Sequence, residues 1–359
     1  MGILVKTFVG VLSLCVLPLC LRAQAKPVSP LDSNYFQIKQ ATAFDSGYYK
    51  TFPRTFTLRT YLSRKYNRLL VSEPAGILTY RPNTPPSIGL GATYRFITIN
   101  LSAGLGFFDP SEKGKTHYFD LQSHIYWRTV TVDVFGQFYR GYYISPHSLN
   151  KAQDSSYVRP DLKVNLVGIA GNYVFNFRRF SYRSALVQDE WQQKSAGSLL
   201  AGWAMYYGAI RGDSTLAPRS ITTDSTGHEV HGAHFFEMGP SIGYVYTFVF
   251  KKHYFVTANG GLQAALGYTR EYGNGVTDKV GITPNVSYRL AAGYNGNVWS
   301  LNAAWLNYQI AVIGVNANEA YRVKSGVYQL TLSRHFGLSA RARRKINAVQ
   351  DKIKDAITP

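Results

Sequence analysis

From residue 54 onward the chain alternates. In Phe56, Leu58, Thr60 and Leu62 the apolar-leaning positions are separated by Thr57, Arg59, Tyr61 and Ser63. That period of two is the signature of a β-strand with unlike faces. The pattern returns through Ile88–Phe96, Ile97–Phe107, Phe119–Trp127, Val130–Phe138, Tyr254–Tyr268 and Val280–Tyr294. It predicts twelve strands over 54–63, 86–96, 97–107, 116–128, 129–143, 161–177, 195–210, 234–250, 252–270, 279–295, 297–313 and 320–336, with 76–82 a candidate for a further one.

Strand length decides the class. Soluble domains average ~5–6 residues per strand, whereas a tilted transmembrane strand needs ~9–11. One face of the runs carries Val, Ile, Leu and terminal aromatics, and the other Gly, Asn, Thr, Gln and charge. A barrel that puts its apolar face in lipid and its polar face in the lumen explains both. The predicted fold is therefore all-β, a transmembrane antiparallel barrel of about 12 strands over 54–337. Aromatics near strand ends (Tyr94, Phe96, Phe107, Phe108, Tyr142, Tyr143, Phe248, Phe250, Tyr268, Tyr294, Trp299, Phe336) read as interfacial girdles. Short connections near 96–97, 128–129, 250–252 and 295–297 alternate with long ones at 108–116, 144–161, 211–232, 271–279 and 314–319. Barrels of the outer membrane pair short periplasmic turns with longer extracellular loops in this way.

Three stretches break the alternation. Residues 178–194 are too long and polar for a tight turn; they fit either a periplasmic helical turn or a lumenal plug. Within 161–177 the phase changes from Leu162, Val164 and Leu166 to Tyr173, Phe175 and Phe177, which predicts a bulge near Gly168 or Gly171. The tail 338–359, with Arg341, Arg343, Arg344, Lys345, Lys352 and Lys354 and with Ile346, Val349 and Ile353 at helical spacing, reads as a short basic helix.

The N-terminus explains how such a chain reaches its membrane. Lys6, the apolar Phe8–Leu21 and Ala23-Gln24-Ala25 make a signal peptide cleaved near Ala25, leaving 26–53 as an N-terminal periplasmic segment. Both cysteines, Cys15 and Cys20, lie inside that leader, so no disulfide or thiolate metal site is expected afterwards. The expected location is the outer membrane of a Gram-negative cell. The net charge of +19 then points to outer-membrane lipids and lipopolysaccharide phosphates or to anionic solutes, and away from nucleic acid. The barrel-assembly machinery is the expected partner in folding, no cofactor is expected, and the oligomeric state is left open.

The run Tyr80-Arg81-Pro82-Asn83, followed by Ile88-Gly89-Leu90-Gly91 and Tyr94-Arg95, forms a set with the stretches Asp120-Leu121-Gln122, Tyr139-Arg140-Gly141-Tyr142-Tyr143, Arg179-Phe180-Ser181-Tyr182-Arg183 and Lys194-Ser195-Ala196-Gly197-Ser198. Over roughly 40–337 this set resembles the family known from Bacteroidota as domain of unknown function 4421. The resemblance implies an outer-membrane barrel with no assigned activity.

Candidate chemistry is sparse. Arg59, Arg95, Arg128, Lys163 and Arg289 on inward parity would give an anion-leaning pore, and Asp120 and Asp133 on the same face would neutralise part of it. Ser123-His124 and His147-Ser148 lack the i, i+2 spacing that puts two strand side chains on one face, which argues against an acyl hydrolase. His228, His231 and His234, with Glu229, are candidates for a zinc site in a loop. The function expected from these residues is a small-solute, anion-leaning pore or transport barrel; the alternatives are a structural or partner-binding barrel without conductance and a lipid-acting barrel enzyme.

Overall fold

The computed structural model describes residues 44–52, 55–73, 76–94, 97–106, 111–145, 156–217, 229–314 and 320–337. The signal segment, His147-Ser148, Arg95, His228 and the basic tail lie outside them. The strands are β1 (Tyr49–Thr51), β2 (Thr55–Glu73), β3 (Gly76–Arg81), β4 (Ser87–Tyr94), β5 (Ile97–Gly104), β6 (His117–Tyr126), β7 (Val130–Ile144) and β8 (Tyr157–Val174). After a short helix α1 (Tyr182–Leu186) come β9 (Glu190–Gln192), β10 (Ala196–Arg211), β11 (Gly232–Phe250), β12 (Tyr254–Tyr272), β13 (Val276–Asn295), β14 (Trp299–Ile313) and β15 (Ala320–Gly337).

Antiparallel pairing closes these strands into a ring. Its order is β2-β3-β7-β8-β10-β11-β12-β13-β14-β15, and β15 pairs back onto β2, so ten strands close it. All twelve strands expected from the alternation are present, but they do not form a ring of twelve. The difference lies beside β2. Its second half, Leu69–Glu73, pairs with β3, and β3 joins β7 through Tyr80–Ile144 and Arg81–Tyr143. Its first half, Phe56–Ser63, pairs instead with β4, which carries β5, while β6 is held on β7. No ladder among the described residues joins β5 to β6, so the wall has a seam on this side.

The faces are inverted relative to a soluble protein. Outward positions such as Leu90, Ile242, Leu262, Val280 and Ile282 are large, apolar and exposed. Thr57, Asn67, Gln137, Ser198, Thr247, Thr257 and Asn302 are buried on the inner face. Apolar surface in water is costly at roughly 25 cal/mol per Å², so an outer wall of Leu, Ile and Val is stable only where lipid replaces water.

The inner face is not uniformly polar, and that overturns several sequence expectations. Towards the end with the longer connections the lumen is filled by buried Tyr80, Tyr139, Leu162, Val164, Leu166, Ile210, Phe235, Tyr321 and Val323. The Leu162, Val164, Leu166 phase therefore faces inward and Tyr173 outward, with β7–β8 and β8–β10 pairing unbroken across Gly168 and Gly171. No bulge is needed there. The register shift falls on β7 between Arg140 and Tyr142, where Gly141 adopts φ +91° and a Cβ would meet the Lys115 carbonyl oxygen at 2.2 Å. Tyr142 and Tyr143 are buried inside rather than placed in a girdle, whereas Phe248, Phe250 and Trp299 are exposed as expected. The predicted long loop at 271–279 is a tight hairpin, because β12 and β13 run to Tyr272 and from Val276.

Candidate functional site

A barrel's lumen is the natural place for a solute path, and here it is occupied at three levels. At mid-height, Asp133 on β7 and Arg289 on β13 form an ion pair, with both side chains almost wholly buried. Arg289 also donates to the Tyr308 hydroxyl at 2.8 Å, and its guanidinium lies 5.6–5.8 Å from the rings of Tyr126, Tyr182 and Tyr308. His124 Nδ1 meets the other Asp133 oxygen at 2.7 Å. The Phe135 and Tyr308 rings pack edge-on with centroids 4.7 Å apart, again from opposing walls. Beside them, Asp120 collects donors from Tyr139 (2.5 Å), Gln137 (2.9 Å), Gln122 (3.1 Å) and Lys65 (3.3 Å). A carboxylate buried this way is held by its partners, not exposed to a passing solute.

Above this layer the lumen is closed by the apolar and aromatic cluster, on which the loop residue Leu216 folds, its carbonyl accepting from the Tyr80 hydroxyl at 2.6 Å. Below it sits the 178–194 segment, and of its two sequence readings the lumenal one describes its position. Phe180 and Tyr182 pack with Tyr126, Leu200 and Val245. The α1 carbonyls of Ser184 and Ala185 accept from inward Asn295 and Asn302 at 2.9 and 2.8 Å. Arg59 donates to the Val187 carbonyl at 2.8 Å, and Ser333 to the Gln188 side chain at 2.8 Å.

The segment is also tied to itself. Ser181 caps α1, accepting from the Ser184 amide at 3.3 Å, and its hydroxyl donates to the Glu190 carboxylate. Gln192 accepts from the Ser181 amide at 3.0 Å and donates to the Arg179 carbonyl at 2.6 Å. Strand β9 pairs with β1, so the chain just before the barrel is stitched to the plug. Burial pushes the Glu190 carboxyl up to about 7, with Asp189 adding to the rise and Ser181 and Arg183 opposing it. Between the layers a cavity of about 50 Å³ remains, lined by Asp133, Arg289, Tyr308, Asn285 and Gln263 among others, room for water and little else.

Of the seven residues expected to line the lumen, Arg59, Asp120, Asp133 and Arg289 do so. Arg128 sits in the β6–β7 turn with its guanidinium 4.5 Å over the Phe44 ring. Lys163 faces outward and is exposed, because at this end the apolar parity is the inner one. Arg59 is engaged by Val187, Thr93 (2.6 Å) and Asn100 (3.4 Å), so it is not a free cation for an anion path. Ser123 and His124, neighbours on β6, are not paired; His124 is committed to Asp133. His231 is half-buried before β11 and His234 faces outward, its Nε2 within 3.1 Å of the Arg211 guanidinium. Among the described residues no three His, Cys, Asp or Glu side chains gather as metal ligands. The plug anchors Asn295, Asn302 and Ser333 were missed in the sequence. Their inward parity was legible, but their partner segment was not.

A closed antiparallel ring with lipid-compatible residues outside and polar groups within is a transmembrane β-barrel of the outer-membrane kind. The family described as domain of unknown function (DUF4421) matches residues 43–333, and the chain belongs to that family. No curated protein matches the sequence. Solved structures resemble it only distantly. The outer membrane protease OmpT from Escherichia coli is 10% identical over 80% of this chain and 98% of its own, with a TM-score of 0.39. The P. putida toluene transporter TodX is 8% identical over 80% and 91%, with a TM-score of 0.28. Neisserial surface protein A is 9% identical over 78% and 97%, with a TM-score of 0.21.

Proposed function

We propose that this chain is a non-conducting outer-membrane barrel, sealed by its own side chains and by 178–194, that works by binding at its outer wall and its ends. The observation that carries this reading is the Asp133–Arg289 ion pair spanning the lumen. A solute would have to part it, leaving two buried charges unpaired at a cost of several kcal/mol. It would also have to displace α1 from Asn295 and Asn302 and pass the apolar layer above. With the short turns periplasmic, the plug and its β1–β9 stitch face the periplasm, where 26–53 would lie. The small-solute pathway requires both seals to open. Purified protein in planar bilayers separates the two: silence supports the sealed barrel, and steady ionic current refutes it.

A further inference from the structure

On the outer wall, the apolar band ends along a single register row at the long-connection end, and charge begins there. On β7, Val132, Val134 and Phe138 lead to Arg140; on β8, Tyr173, Ile169 and Val167 lead to Lys163; on β10, Trp203, Met205 and Tyr207 lead to Arg211. Arg140 is directly opposite Lys163, and Lys163 directly opposite Arg211. All three are exposed. Neighbouring strands are ~4.8 Å apart, so three cations occupy a row about 10 Å wide, and like charges directly opposite one another repel.

The nearby carboxylates do not relieve that repulsion. Asp161 is held by Arg159 through two hydrogen bonds of 2.9 and 2.8 Å, and also accepts the Asp213 amide at 2.9 Å. Asp278 is held by Arg270, again twice, at 2.7 and 2.8 Å. Asp213 is exposed two residues past Arg211, on the aqueous side of the row. The acceptors that Arg211 and Arg140 reach are uncharged: Arg211 donates to His234, and Arg140 reaches the Pro160 carbonyl at 3.4 Å.

We propose that Arg140, Lys163 and Arg211 bind the phosphate of a phosphorylated membrane-lipid headgroup whose acyl chains lie along Phe138, Val167 and Tyr207. A phosphate offers several acceptor oxygens to guanidinium forks and an ammonium at once. The continuity of the row with the apolar band is what selects a lipid over a soluble anion. The proposal deepens the reading of an outer wall that binds and rests on the transmembrane fold; it does not need the lumen to be sealed.

The full chain, purified in neutral detergent, is titrated with a diphosphorylated acylated disaccharide, with its dephosphorylated counterpart and with inorganic phosphate, and bound lipid is counted by native mass spectrometry. The phosphorylated lipid is retained, the dephosphorylated one binds at least tenfold more weakly, and equimolar inorganic phosphate does not displace it. The triple variant Arg140→Gln, Lys163→Gln, Arg211→Gln loses at least tenfold in affinity, while Lys251→Gln with Lys252→Gln at the opposite end changes nothing. If the triple variant does not fold, Lys163→Gln alone, an exposed change, is expected to weaken binding about threefold. Unchanged retention by the folded cation variants, or displacement by inorganic phosphate, overturns the proposal.

Discussion

Asp133 and Arg289 lie on strands β7 and β13, five steps apart in either direction around a ring of ten, and their side chains meet. Diametrically opposite walls are thereby bridged across the lumen at that height. Breaking a buried pair by removing one partner costs about 3–5 kcal/mol, whereas replacing both by neutral groups is much milder. Arg289→Ala is therefore expected to unfold at a clearly lower temperature, read as the conversion of the folded to the unfolded band on SDS gels. Asp133→Asn with Arg289→Gln together should recover most of the loss. Equal destabilisation by the single and the double variant would mean the ion pair is not what holds the walls together.

The plug hangs on two amides. Asn295 and Asn302 satisfy the Ser184 and Ala185 carbonyls, and a buried acceptor left without a donor costs about 1–3 kcal/mol. With both changed to Ala, amide exchange across 180–192 should quicken markedly while exchange in β11–β13 stays slow. Unaltered exchange in the plug would show that its packing against Tyr126 and Leu200 suffices.

Glu190 gives the plug a pH dependence. Its ordinary value is 4.5 and burial raises it to about 7 in the folded protein. Between those values the folded plug retains a proton that the unfolded segment has lost, so stability falls as pH rises through this window. Corrected for the intrinsic rise of amide exchange with pH, protection across 180–192 should be greater at pH 5 than at pH 8, and Glu190→Gln should flatten the difference. An opposite slope would place the carboxylate in a polar setting.

The inverted faces are testable at one position. Leu262 is 59% exposed, between Ile242 and Val286 on the neighbouring strands. On a water-facing surface Leu262→Arg would change stability by no more than about 0.5 kcal/mol. Facing lipid near mid-bilayer, it should cost about 2–4 kcal/mol, measured by reversible folding into vesicles.

The strands were legible because period two survives along ten to twenty residues, as in Tyr254–Tyr272, whatever the neighbours. What lies inside was less so. Reading polar parity as lumen placed Thr57 and Asp133 correctly but failed for Lys163, because Leu162 and Val164 turn inward to fill the lumen, and no local pattern distinguishes an apolar inner layer from a lipid-facing one. The seam at β5 and β6 depends on how β2 divides its length between β3 and β4, a long-range choice. The Asp133–Arg289 contact joins residues more than 150 apart, and alternation carries no information about which strands stand opposite.

Single-channel recording in planar lipid bilayers tests the sealed lumen most directly, comparing the intact chain with a variant that lacks 178–194 and carries Arg289→Ala with Tyr308→Ala. The intact barrel is expected to be silent at either polarity, with current only after both seals are removed. Steady conductance from the intact barrel would contradict the account.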